Sequence, residues 1–300
     1  PRPYQLCRFY TRLTCSLEEP QILDRRLAKV GVGFALQTAI THGCDTANLS
    51  NLYSELSLEK IRETHDRLIA SSFHREREVA IWLATSLELA PSTTDPKGLA
   101  TEMREMEFIL YTLMNKVGEA KPTMNDWMNY IANAAESLTD GFWIDARILL
   151  SQALDISQSV QIEHLKAHPG LRYELDVLQR ATAAYFMEMG KYPLKLAIPD
   201  DRIETVLKLQ QVMLNLMTAR HREKKEKHER IVEDAIRRLE TVIRLLMNKD
   251  KTLDDVLREA RLALQYLDEQ EKGITDNDRH RLICECRKQL GQIIGTNVPR

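Results

Sequence analysis

Asp200, Asp201 and Glu204 place three carboxylates within about one helical turn, a set that can hold divalent cations around a diphosphate. That chemistry needs a second carboxylate cluster facing the first. The nearest acidic groupings, Asn125-Asp126 and Asp254-Asp255, lack the companion spacing. Both aspartates directly follow Pro199, where acids stabilise a helix start by capping and by the macrodipole, and capping is the better explanation. His65-Asp66 offers an imidazole beside a carboxylate, as a metal-dependent phosphohydrolase centre would, with His42 upstream and Asp140 or Asp145 downstream. Charge lies on nearly every side of it between Ile61 and Leu68, so the pair reads as two solvated surface residues. A di-iron bundle needs Glu and His three apart on two helices, and no histidine here has a Glu three residues before it. Cys284-Glu-Cys286 with His280 gathers soft ligands, but side chains two apart diverge on a helix. No nucleophile-elbow, Walker-type or zinc-protease string is present, so no cofactor or catalytic residue is expected.

The remaining chemistry is basic. Arg220, Arg222, Lys224, Lys225, Lys227 and Arg230 bring positive charge against Glu223, Glu226 and Glu229, with Arg237, Arg238 and Arg244 further on. Such a ridge can neutralise backbone phosphates and bind in a salt-dependent way. With no aromatic residue between 218 and 230 to stack a base, it would read shape or backbone only. The plainer alternative is a solvated helix. Glu223–Lys227 and Glu226–Arg230 are four-apart pairs, each worth about 0.2–0.5 kcal/mol on an exposed helix.

The elements that would carry these residues are helical throughout. Val206, Leu207, Val212, Met213, Leu216 and Met217 form one apolar stripe, and Ile231, Val232, Ala235, Ile236, Leu239, Val242, Ile243 and Leu246 form a second. From 218 to 230 only Ala219 is apolar, and no Gly or Pro interrupts the run. The pattern predicts one continuous helix over 199–247 whose polar middle is exposed and bridges two packed bodies. Upstream, helices are expected from Pro20 to Thr41, Ser57 to Ala70, Phe73 to Leu89, Pro96 to Val117, a Thr123-capped segment, one after Asp140-Gly141, and Leu171 to Met189. The Gly31-Val-Gly33 pair costs roughly 1 kcal/mol per Gly inside a helix, which points to close packing by a neighbouring helix. Three helices near 231–247, 253–272 and 276–294 follow, with Thr252 and Asp276 as N-caps.

Helix after helix with short loops is the pattern of an αα-repeat or bundle. Arg180–Tyr192 resembles half of a tetratricopeptide repeat, although Lys195 stands where its small residue falls and no second copy follows. The last three helices are similar to BAG-type chaperone-regulator bundles in size and order, with no diagnostic residue matched. Asp200–Glu204 resembles the magnesium–diphosphate motif of helical prenyl synthases, and His65-Asp66 that of HD-type phosphohydrolases.

Eleven Gly and ten Pro in 300 residues are few, which argues against the many turns of an all-β fold. A net charge of −2 excludes a protein that coats nucleic acid over its whole surface but allows a local basic patch. Five cysteines without regular spacing read as free thiols in an intracellular, reducing compartment, cytoplasm or organelle matrix. Arg2, Arg8 and Arg12 with no acid among the first sixteen residues read as a basic arm or the remnant of a mitochondrial targeting segment. A start at Pro1 is expected of a processed or trimmed chain. No window is apolar enough for a membrane span.

The expected organisation is therefore all-α: a basic arm over 1–18, a helical domain over 19–217 as an antiparallel bundle or αα-superhelix, an exposed basic helix segment over 218–230, and a three-helix bundle over 231–295. The function expected first is a non-enzymatic helical adaptor in an intracellular assembly, with a protein partner and with oligomerisation open. The alternative is an RNA-binding subunit using 218–230 with Arg2, Arg8, Arg12, Tyr4, Phe9 and Tyr10. A helical hydrolase or synthase is third.

Overall fold

A computed structural model of the chain describes residues 24–87, 95–162, 165, 168–192, 194, 196, 198–220, 226–248, 251–271 and 277–296. Among these residues there are twelve α-helices, one 3-10 turn and no strand, so the all-α class holds. In chain order the helices are α1 (Arg25–His42), α2 (Ala47–Ser54), α3 (Leu58–Ile69), α4 (His74–Ala84), α5 (Pro96–Met114), α6 (Lys121–Thr139), α7 (Trp143–Ser159), α8 (Pro169–Met189), α9 (Asp200–Arg220), α10 (Glu226–Met247), α11 (Leu253–Glu271) and α12 (Asn277–Thr296).

Their starts follow local chemistry. Asp95 has extended backbone and accepts from the Lys97 amide at 3.0 Å, with Pro96 in the first turn of α5. Thr252 and Asp255 bond reciprocally at the start of α11, as expected of that cap. Two starts differ from expectation. α1 begins at Arg25 because Asp24 accepts from the Arg26 amide at 2.7 Å, and Pro20 lies outside the described residues. α6 begins at Lys121, directly after the 3-10 turn Gly118–Ala120, so Thr123 sits inside the helix and is not its cap. Asp276 lies outside the described residues, as does the expected end of α4 near Leu89.

The chain packs as two compact units, one made of Leu58–Lys195 and the other of Asp24–Ser57 with Leu196–Arg300. In the first, α6 lies against both α5 and α7, α7 also meets α4 and α8, and α3 covers α4. Its core joins Met103, Met106 and Leu110 of α5 to Trp127 and Ile131 of α6, Leu150 of α7 and Leu175 of α8. The Trp127 indole donates to Thr182 Oγ1 at 3.1 Å, which satisfies its one buried donor.

In the second unit α9 packs against α1, α10 and α12, and α11 packs against α10 and α12. Helices α9 to α12 thus close a four-helix ring, and the largely buried α1 packs against α9. This division differs from the expected boundary inside 218–230. The buried stripe of α9 (Ile203, Val206, Leu209, Val212, Met213, Leu216) joins the C-terminal helices, so the anticipated three-helix bundle has a fourth member.

The continuous bridging helix is likewise corrected. α9 and α10 lie side by side, and the Arg202 guanidinium at the start of α9 donates to the carbonyls of Leu246 in the last turn of α10 and of Asn248 and Lys251 beyond it. The two helices therefore run antiparallel, with both apolar stripes buried. Residues 221–225 lie outside the described residues.

The glycine pair in α1 has the expected cause at one position. A Cβ on Gly33 would overlap the side-chain amide of Gln210 on α9, and Gln210 Nε2 donates to the Val30 carbonyl at 3.1 Å. No described helix is long and apolar enough to cross a membrane.

Candidate functional site

The antiparallel packing of α9 and α10 leaves Arg220, Lys227 and Arg230 at one end of the pair and Arg237, Arg238 and Arg244 farther along α10. Arg220 ends α9, while Lys227 and Arg230 lie in the opening turns of α10; Arg222, Lys224 and Lys225 are outside the described residues, as is the whole N-terminal arm. Of the rest, Arg237 is exposed and pairs with Glu233 at 3.1 Å, four residues before it. Arg244 pairs with Glu240 at 3.7 Å. Arg238 lies over the ring of Tyr266 on α11, 5.1 Å from its centroid, and the Tyr266 hydroxyl donates to Asp234 at 3.0 Å. Arg237, Arg238 and Arg244 thus each have a local acid or aromatic partner.

The acid and histidine groupings do not gather. Asp200 and Asp201 occupy the first turn of α9, where their expected capping role lies. Among the described residues no three His, Cys, Asp or Glu side chains are placed to hold a metal ion. Cys286 is buried, and burial pushes its thiol up to about 12, which keeps it from acting as a thiolate beside the half-buried Cys284.

His65 corrects the expectation of a solvated surface residue. Its side chain is only 15% exposed, and Nδ1 lies 2.9 Å from Asp66 Oδ1. The imidazole sits one turn from the fully buried Ile61. Burial is the largest effect on it and pushes its pKa below the ordinary value; Asp66 opposes this and the nearby Arg147 cation adds to it.

Arg147 and Arg77 form a buried cationic pair that sequence reasoning missed. Each guanidinium lies under 6 Å from the centroid of the Phe186 ring on α8. Arg77 is fully occupied: Nε donates to Ser151 Oγ at 3.0 Å, and its two terminal nitrogens donate to the carbonyls of Ser71 and Ser151. Arg147 rests against Gly190 at the C-terminal end of α8, where the helix dipole favours a cation, and a Cβ on Gly190 would crowd its Nη2 at 3.1 Å. Burial lowers Arg147 to about 10, so it remains a cation at neutral pH. This grouping ties α4, α7 and α8 together and is interior.

The surface feature that stands apart is on α5. Its core face is Leu99, Met103, Met106, Leu110 and Leu113, yet Phe108 (68% exposed), Ile109 and Tyr111 (57% exposed) point outward. At 100° per residue Phe108 lies at the centre of the solvent face, with Tyr111 about 60° to one side and Ile109 about 100° to the other. Glu105 stands between Phe108 and Ile109, and Glu102 and Glu107 flank the group on opposite sides. Tyr185 of α8 lies near this helix; burial first, then Glu102 and Glu105, push its hydroxyl up to about 12. The signal was present in the sequence, since these three large apolar residues fall out of phase with the core stripe of their own helix.

No family model, no curated protein and no solved structure matches this chain.

Proposed function

We propose that this chain is a non-enzymatic helical interaction subunit, and that the outer face of α5 is where it holds a protein partner. The observation that supports this is the exposure of Phe108, Ile109 and Tyr111 on one helix of a well-packed unit. Aromatic residues of this kind supply most of the energy at protein interfaces, and grouped large apolar side chains on a surface mark contact sites. Covering Phe108 alone would contribute on the order of 1.5–3 kcal/mol. Extension of a phosphate-contacting ridge along α10 has weaker support, because Arg237 and Arg244 are each paired with a glutamate four residues back.

Affinity capture with the full chain tests the proposal, comparing the native sequence with a Phe108→Ser/Tyr111→Ser variant, each with and without nuclease. The expected result is a protein retained by the native chain, insensitive to nuclease and lost with the variant. Retention of the same partners by the variant would overturn it.

A further inference from the structure

We propose that the partner element seated on α5 is a basic amphipathic helix, an inference that rests on the interaction role assigned to this face above. Glu105 lies between Phe108 and Ile109, Glu102 borders Ile109 and Glu107 borders Tyr111, while Arg104 and Lys97 are the cations on the outer side of the helix, so acids outnumber bases there. Among the described residues none of these three glutamates has a cation within ion-pairing distance. Elsewhere on exposed helices the chain does supply such partners: Asp176–Arg180, Glu204–Lys208, Glu233–Arg237 and Glu240–Arg244 all lie four residues apart. The α5 face is thus apolar and carries three acids, none of them in an ion pair among the described residues, against two cations. Burial is the main reason the Tyr185 hydroxyl is raised, and Glu102 and Glu105 add to it from the neighbouring helix.

Complementarity sets the occupant. Apolar side chains at three- and four-residue steps would cover Phe108, Ile109 and Tyr111, while flanking Lys or Arg would meet the glutamates. Residues 101 to 112 offer about 18 Å of helix at 1.5 Å per residue, room for about three turns of partner. Anionic surfaces are disfavoured by the same charges, which argues against RNA backbone or acidic lipid on this face.

The probe is a fluorescein-labelled, 18-residue amphipathic helix of Leu and Lys, with a Leu and Glu counterpart as control, read by anisotropy against the full chain. The Leu/Lys helix is expected to bind and the Leu/Glu helix to fail. Glu102→Gln/Glu105→Gln/Glu107→Gln should weaken binding at least about tenfold with an unchanged circular dichroism spectrum, and should flatten its dependence on salt. Phe108→Ser/Tyr111→Ser should weaken it by a similar factor. Loss with the Ser variant but not the Gln variant would overturn the basic-helix inference and leave the interaction role standing. Equal binding by both variants would overturn the assignment of the probe to this face. Binding that appears only after deletion of residues 1–18 would give the face to the chain's own basic arm and overturn the partner assignment.

Discussion

Arg202, in the first turn of α9, donates to the Asn248 carbonyl just past α10 at 3.1 Å, across 46 residues of sequence. That contact fixes α9 and α10 as a hairpin, because the start of one helix can reach the end of the next only if the chain turns back. Arg202→Ala removes donors to three carbonyls and should destabilise the second unit by about 1–2 kcal/mol, spread over partly solvated bonds. Urea unfolding followed by circular dichroism measures it. A spin-label pair at Glu204 and Arg244 should report a separation far below the roughly 60 Å that a continuous helix of 40 residues would impose.

Gly33 and Gln210 form the tightest crossing between α1 and α9. Gly33→Ala should cost about 1–3 kcal/mol, since the added Cβ displaces a buried side chain. In a Gln210→Ala background the same change should cost less, because the clashing amide is gone. A double-mutant cycle with no coupling would show that the two residues do not meet.

Arg77 is the stability prediction for the first unit. Arg77→Met leaves Ser151 Oγ and the carbonyls of Ser71 and Ser151 without a donor in the interior, a loss of about 2–5 kcal/mol. Arg77→Lys keeps the charge but replaces a three-way fork with a point donor, so it should recover only part of that loss.

His65 sets a pH dependence whose sign is fixed by its lowered pKa. The unfolded chain takes a proton on this imidazole near its ordinary value of about 6.5, whereas the folded chain resists until lower pH. The unfolded state therefore binds more protons in that window, and stability falls as pH drops below about 6.5. His65→Gln should remove this component, so the difference in stability between pH 7 and pH 5 should be smaller in the variant than in the native chain. Equal pH dependence would mean that the imidazole titrates alike in both states.

Much of the helical order was legible in the residues themselves. Asp95-Pro96, Thr252 and Gly43 mark helix ends by local hydrogen bonding or a left-handed turn, and such signals need no tertiary contact. Gly33 announced a close approach, although not that Gln210 would make it. The antiparallel packing of α9 against α10 was hidden because a charged run without Gly or Pro carries no local signal that separates one helix from two. His65 was misplaced by reading its neighbours in sequence instead of around the helix: Arg62, Glu63 and Arg67 fan outward while His65 shares the face of Ile61. The α5 surface was legible from phase alone, whereas the absence of ion partners for its glutamates needed three dimensions.

Replacing Arg220, Arg222, Lys224, Lys225 and Lys227 with Gln separates the protein role from the phosphate role. Charge-to-Gln changes at surface positions generally alter stability by about 0.5 kcal/mol or less, and the α5 partner should still be captured. A partner lost with this variant and with nuclease would instead place the function on nucleic acid, with binding whose salt dependence shrinks as the charges go.

The most direct measurement of the central claim is site-specific photocrosslinking in the native extract, with benzoylphenylalanine substituted at Phe108 and, separately, at Arg237. Proposed contact through α5 predicts a protein adduct from position 108, resistant to nuclease, and none from position 237. Adducts to RNA from position 237 with none from position 108 would contradict it.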